Sequence, residues 1–180
     1  MVFVELKDYA QVVVAIIAIG SFVVAMLQLW LLLRQLKFQY DWNKKEKALE
    51  YSLSKNKNLQ EVRRKLDSLF GNIHHNSRVI PYDEIINKLE EDNTSYTVIT
   101  SLLAHWENMA LAIHQGIVDE DVAYEMTAGL VIDYVRAFQN FIDERQNKNN
   151  ARAYAYLVPL SKDWKTRREG SIQRENESLL

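Results

Sequence analysis

Cysteine is absent from this 180-residue chain, and proline and glycine are scarce, with two and five residues respectively. The absence of cysteine rules out disulfide bonds and agrees with a reducing cytoplasm. The sequence has no sustained alternation of polar and apolar residues, which is the pattern that indicates β-strands. Because apolar residues instead recur at helical spacing, the sequence predicts an all-α protein.

Charge is missing from the 25 residues between Tyr9 and Leu33. As a helix this segment would rise about 37 Å, at about 1.5 Å per residue, which is enough to cross a hydrocarbon core of roughly 30 Å. A lone span in lipid has to satisfy its own backbone hydrogen bonds, and a helix does so. The segment therefore predicts a transmembrane helix with the lipid bilayer as its surroundings.

The flanks of this segment predict its orientation. Residues 1–8 hold one lysine and two acids, whereas residues 34–65 hold ten basic and four acidic residues. By the positive-inside rule the C-terminal part faces the cytoplasm, which places the chain in the cell inner membrane with its N-terminus outside. The residues expected at the lipid head groups are Arg34, Lys37, Lys44, Lys45 and Lys47.

A cleaved signal peptide is the alternative interpretation of the same segment. Such a peptide has a basic n-region and a shorter apolar core of roughly 7–15 residues. This chain lacks the basic n-region, and its uncharged run is longer. These differences favour a retained membrane anchor.

Small and polar residues form a stripe along the predicted span: Gln11, Ala18, Ser21, Ala25 and Gln28. Small residues allow helices to approach closely in lipid, and amides or hydroxyls bond across the interface. The stripe predicts self-association of the chain as a homo-oligomer. A water-lined pore and a chance arrangement are the alternatives.

The domain boundaries follow from these features. Residues 1–8 form a short extracytoplasmic terminus, residues 9–33 the span, and residues 34–56 a basic juxtamembrane helix. Residues 57–169 are predicted to form a cytoplasmic antiparallel helical bundle, and residues 170–180 a disordered tail.

Local signals predict the helices of the bundle. Residues 58–70 form a helix that ends at Gly71, and residues 82–89 form a short one. The longest apolar helix opens at the capping residues 92–94 and ends at Gly116. Asp119 caps the next helix, which runs to about Gln146, and a last helix begins near Ala151 and is kinked or split by Pro159.

The bundle carries a net negative charge, since residues 66–180 hold eleven basic and eighteen acidic residues. A nucleic-acid-binding domain needs a basic face, so nucleic acid is not an expected partner. An acidic bundle is also held off anionic lipid, whereas the basic segment before it is attracted.

Catalytic motifs are also missing. The chain has no glycine-rich phosphate loop, no nucleophile elbow and no HExxH pattern. Its histidines lack the spacing of a metal site, and the triplet at His105 lacks the cysteines that zinc deaminases need. We expect no enzyme activity, no metal and no cofactor.

Glu107 is the polar residue that stands out, because it lies at the edge of the most apolar predicted helix. A carboxylate at such a boundary usually points outward or pairs with a basic residue of a neighbouring helix. Arg145, or else Arg136, lies on the next helix. The sequence predicts a structural ion pair between Glu107 and Arg145, with a general base as the less favoured role.

The stretch from Leu102 to Glu125 resembles a bacterial family of unknown function, built from one N-terminal membrane helix and a cytoplasmic helical domain. The matching residues include a Leu-Leu pair, an aromatic-Glu dipeptide and a Gly-Ile-Val-Asp-Glu-Asp turn. They are Leu102, Leu103, Trp106, Glu107, Ala110, Gly116–Asp121, Ile142, Arg145, Tyr154 and Trp164, with Ala48–Tyr51 upstream. The resemblance implies the fold and no activity.

These features lead to two hypotheses about function. The first is a membrane-anchored, non-enzymatic interaction or effector module that self-associates, by architectural analogy in a bacterial stress or phage-defence response. The second is a scaffold subunit that recruits a cytosolic protein partner, such as an enzyme or signalling component, to the membrane.

Overall fold

The computed structural model describes residues 2–52, 55–76, 78–91, 94–148 and 150–178, with the backbone alone at 2–13, 15–16, 75–76, 175–176 and 178. Every regular element in these residues is a helix, so the all-α prediction is confirmed. The helices are α1 (Val2–Glu50), α2 (Lys57–Phe70), α3 (Ile73–Asn76), α4 (Tyr82–Glu91), α5 (Thr94–His114), α6 (Glu120–Ala137), α7 (Gln139–Lys148) and α8 (Leu157–Ser178).

The chain divides into two compact units, Met1–Asn43 and Lys44–Leu180. The first unit is formed by the greater part of α1. The second is the helical bundle, and it begins at Lys44 rather than at the predicted residue 57. The cause is Ala48 in the last turns of α1, which is 1% exposed and belongs to the core of the bundle.

The core of the bundle is built around α5. Its residues Ile99, Leu102, Leu103, Trp106 and Met109 recur at helical spacing and are fully buried. Burying each such side chain stabilises the fold by about 1.5–3 kcal/mol. The other large side chains that are fully buried come from α2, α4, α6, α7 and α8 and the segments between them: Leu66, Ile80, Ile85, Tyr134, Phe138, Ile142 and Trp164.

Local capping signals predict several helix ends correctly. Gly71 ends α2 with a φ of 76°, and Gly116 follows α5 with a φ of 69°, a conformation that glycine adopts without strain. The Asp119 carboxylate accepts a hydrogen bond from the Val122 amide at 3.0 Å and caps α6, as predicted. The predicted caps Asp92 and Asn93 lie outside the described residues.

The helix predicted over residues 120–146 is in fact two helices, α6 and α7, which meet at Phe138. The Ile80 amide donates to the Ala137 carbonyl at 2.9 Å, and the Asn140 side chain donates to the Ile80 carbonyl at 2.9 Å. The segment at Ile80 therefore takes the carbonyl that would otherwise continue the helix. This is a tertiary contact, and no local breaker marks it in the sequence.

The last helix also differs from its prediction. Residues 151–156 are turns and α8 begins at Leu157, so Pro159 lies in the first turn, where a missing backbone N–H costs little. The predicted kink is thereby corrected. The helix also continues through Gly170 to Ser178, a segment for which the sequence predicts a disordered tail.

Two side chains of α8, Trp164 and Arg167, contact one end of α6 and hold α8 in place. The Trp164 indole N–H donates to the Glu120 carboxylate at 3.1 Å, and the Arg167 guanidinium lies 4.0 Å from the Tyr124 ring centre while pairing with Asp121 at 2.8 Å. Together with the buried Trp164 ring, these contacts fix how α8 packs on α6.

Candidate functional site

The apolar surface of α1 is solvent-exposed along the described part of the first unit. A soluble protein rarely leaves a continuous apolar surface of this size uncovered. More than half of each of the following side chains is exposed: Ile17, Ile19, Phe22, Val23, Val24, Met26, Leu27, Leu29, Trp30, Leu31, Leu32, Leu33 and Leu36. The helix Ile17–Glu50, with a mean hydropathy of 1.9 in its most apolar window, is long and apolar enough to cross a membrane, although a signal sequence meets the same criterion.

The predicted association stripe lies on this exposed helix. Ala18, Ser21, Ala25 and Gln28 are all exposed, whereas the side chain of Gln11 lies outside the described residues. The Ser21 hydroxyl donates to the Ile17 carbonyl at 2.8 Å, so its hydrogen bond is satisfied within the helix. The stripe can therefore contribute close packing to a neighbouring helix, whereas the Ser21 hydroxyl is already hydrogen-bonded within its own helix.

The five basic residues predicted at the head groups fall in both units. Arg34 and Lys37 belong to the first unit, and the Arg34 guanidinium lies 5.5 Å from the Trp30 ring centre. Lys44, Lys45 and Lys47 belong to the second. There Lys47 pairs with Glu50 at 2.9 Å, and Lys44 is half-buried.

Glu107 receives a different partner from the one predicted. Its carboxylate accepts hydrogen bonds from the backbone amides of Tyr156, at 3.2 Å, and Leu157, at 2.7 Å. Leu157 is the first residue of α8, whose terminal amides have no partner within the helix. A side chain of α5 therefore caps α8, and the negative charge also suits the positive end of the helix dipole.

Arg145 is likewise occupied elsewhere. Its guanidinium lies 5.3 Å from the ring centre of Tyr96 and 5.9 Å from that of Phe141. Burial raises the pKa of Tyr154, and the neighbouring Arg145 partly opposes this shift. No ion pair joins Glu107 and Arg145, both of which are described, so the predicted pair is replaced by a helix cap and a cation–aromatic contact.

A second charged cluster, which was not predicted from the sequence, lies between α3 and α6. Asp133 is 8% exposed, and its carboxylate bonds with His74 through one oxygen and with Arg136 through the other. A buried carboxylate needs such partners. The available signal was Asp133 itself, the one charged residue in the apolar run from Ala128 to Val135.

Two other polar side chains of the bundle, the buried Tyr134 and the half-buried His105, have pKa values that are shifted by their surroundings. Burial raises the pKa of Tyr134 to about 12, with Asp67 adding to the shift, so this hydroxyl stays protonated at neutral pH. Burial lowers the pKa of His105, whose Nε2 lies 3.3 Å from the Tyr51 carbonyl. That partner assigns the neutral tautomer with its proton on Nε2. No group of three potential metal ligands lies among the described residues.

The sequence pattern of one protein family matches residues 15–164, and its description is Domain of unknown function (DUF4760). The chain belongs to this family. In this DUF4760 protein the matched region begins inside the apolar part of α1 and ends at Trp164 of α8, so it includes Glu107 and Asp133. Comparisons with curated proteins and with solved structures found no match. The family description names no activity, so the function stays open.

Proposed function

We propose that this DUF4760 protein is a non-enzymatic interaction or effector module anchored in a bacterial inner membrane by α1, with its bundle in the cytoplasm. The observation that carries the proposal is the exposed apolar surface of α1. A side chain such as Phe22, which is 67% exposed, is stable in that position if lipid surrounds it. The basic residues that follow support the orientation.

We further propose that the anchored chains self-associate through the α1 stripe. Ala18 and Ala25 are two turns apart on one side of the helix, and both are exposed. Helices in lipid gain van der Waals packing where small residues let their backbones approach. An assembled effector of this kind fits a stress or phage-defence response, by analogy of architecture alone.

The orientation is tested with reporter fusions after Leu180. A reporter active only in the cytoplasm should work there, and one active only in the periplasm should not. Neutral replacements within about 15 residues of the span should scramble the result. The residues to replace with glutamine are Arg34, Lys37, Lys44, Lys45 and Lys47.

The matched control for this experiment replaces Lys57 and Arg64, exposed basic residues of α2 that lie farther from the span, and it should leave the orientation unchanged. Mass spectrometry of the intact membrane-bound protein should give the mass of a chain that retains α1. Periplasmic reporter activity in the unmodified chain contradicts the orientation, and a shortened mature chain contradicts the anchor.

Self-association is tested by replacing Ala18 and Ala25 with leucine. The larger side chains hold the helix backbones apart while the span stays at least as apolar, so insertion continues and the oligomer shifts to a smaller species. Light scattering in mild detergent measures the change. The control pair, Val23→Leu with Leu27→Phe on the opposite side of α1, enlarges apolar side chains away from the stripe and should change nothing.

Two results would contradict this part of the proposal. If the alanine replacements leave the oligomer intact, α1 does not hold it together and the bundle is the remaining interface. If the unmodified chain is a monomer in both detergent and membrane, self-association is wrong. A monomer would favour the alternative function, a scaffold that holds a cytosolic partner at the membrane.

A further inference from the structure

A groove between α6 and α8 combines an apolar floor with a basic rim. It encloses a cavity of about 210 Å³. The apolar lining comes from Val79, Ile132, Val135 and Val158, and the polar lining from Arg136, Gln139, Ser161, Lys162 and Lys165. The bundle therefore has a local basic surface despite its net acidity, because the helix spacing of α8 brings Ser161 and Lys165 to the same side as the floor.

The charges around this groove favour an anionic ligand. The Asp133 carboxylate contacts the rim at Arg136, and its two oxygens are already taken by His74 and Arg136. Lys165 has a loose contact with Glu169 at 3.9 Å, where both side chains are about two-thirds exposed, and such a pair is weak in water. Lys162 makes no ion pair within the described part of the chain.

Asp133 also fixes the direction of Arg136. Because one carboxylate oxygen holds the Arg136 guanidinium, this side chain keeps a defined position at the edge of the groove. A guanidinium that is already oriented loses little entropy when it binds an anion. Arg168 extends the basic surface along α6. Its Nη1 lies beside Gly129, one turn before Asp133, and would be 3.7 Å from a Cβ atom at that position.

We propose that this groove binds a small organic phosphate, with the phosphate against Lys162, Lys165 and Arg136 and its apolar part on the valine and isoleucine floor. These three cationic side chains offer several N–H donors, which match the several acceptor oxygens of a phosphate monoester better than the two oxygens of a carboxylate. A groove with a cavity of about 210 Å³ accommodates a compact ring system such as a nucleobase, with the phosphate at the rim. It leaves no room for the acyl chains of a phospholipid, so a soluble ligand fits best. This site is independent of the membrane anchoring proposed above.

The test measures the binding of three probes to the full chain in non-ionic detergent by equilibrium dialysis. AMP carries both the ring and the phosphate, adenosine lacks the phosphate, and inorganic phosphate lacks the ring. We expect AMP to bind more tightly than either of the other probes, and we expect its affinity to fall as the salt concentration is raised. Lys162→Gln and Lys165→Gln should each weaken AMP binding about tenfold or more, since each removes one charge-assisted hydrogen bond.

The matched control is Lys148→Gln, which removes an equally exposed lysine of α7, outside the groove, and should leave AMP binding unchanged. The unfolding midpoints of all three variants should equal that of the unmodified chain. Equal binding of adenosine and AMP, no AMP binding at millimolar concentration, or an equal loss in the control would each overturn the proposal. Binding of phosphatidylglycerol vesicles through these lysines without AMP binding would overturn it in favour of a lipid surface.

Discussion

Replacing Asp133 with alanine should lower the free energy of unfolding of this DUF4760 protein by about 2–3 kcal/mol. The substitution leaves His74 and Arg136 beside an empty, mostly buried position, and orphaning the partners of a fully buried carboxylate costs about 3–5 kcal/mol. The expected loss is smaller here because the His74 and Arg136 side chains are 36% and 35% exposed and regain part of their hydration. Denaturant unfolding of the full chain in mild detergent, followed by tryptophan fluorescence, measures the change.

Four further variants, among them Arg136→Ala alone, separate this cluster from a general loss of packing. Asp133→Asn keeps one of the two acceptor oxygens in place and should cost less than Asp133→Ala. The double variant Asp133→Ala with Arg136→Ala should cost less than the sum of the two single losses, because the second substitution removes a group that the first has orphaned. Asp143→Ala changes an exposed carboxylate of α7 and should stay within about 0.5 kcal/mol of the unmodified chain. A loss for Asp133→Ala as small as that of Asp143→Ala would show that the cluster does not stabilise the bundle.

The parts of the fold that the sequence predicts correctly depend on neighbouring residues. Gly71, Gly116 and Asp119 mark helix ends because their effect acts within one turn, through a left-handed backbone or a side-chain cap. The buried face of α5 is predicted by its helical spacing, which requires no knowledge of what covers it. The apolar helix α1 is likewise predicted from local sequence, because the length of a segment and its lack of charge indicate whether it can cross a bilayer as a helix.

The parts that the sequence does not predict depend on residues far apart in the chain. The junction at Phe138 arises because Ile80 takes the Ala137 carbonyl, 57 positions away along the sequence. The sequence predicts Pro159 inside a helix, but the preceding turns place it in the first turn of α8. The groove between α6 and α8 escapes prediction for a related reason. A net charge summed over residues 66–180 does not reveal that Arg136, Lys162 and Lys165 meet on one surface.

Glu107 shows the same distinction within a single residue. From its position at the boundary of α5, the sequence predicts an ion pair with Arg145. Its partner is the backbone start of α8, 49 and 50 positions along the chain, and not the predicted Arg145. A helix terminus is as good a counterpart for a carboxylate as a basic side chain, and it leaves no signature in the identities of the residues that form it.

Replacing Glu107 with alanine should therefore lower the free energy of unfolding by about 2 kcal/mol, because the amides of Tyr156 and Leu157 lose a charged acceptor. Glu107→Gln, which keeps one acceptor oxygen, should lose less. Arg145→Ala removes the contact with Tyr96 and Phe141 and should cost about 0.5–1 kcal/mol by itself. Since the two side chains do not bond to each other, Glu107→Ala should cost nearly the same in the Arg145→Ala background as in the unmodified chain. If the loss caused by Glu107→Ala disappears once Arg145 is removed, the ion pair predicted from the sequence is present after all. Hydrogen exchange of the α8 amides distinguishes the helix cap from this ion pair directly. We expect exchange to be faster in Glu107→Ala and unchanged in Arg145→Ala.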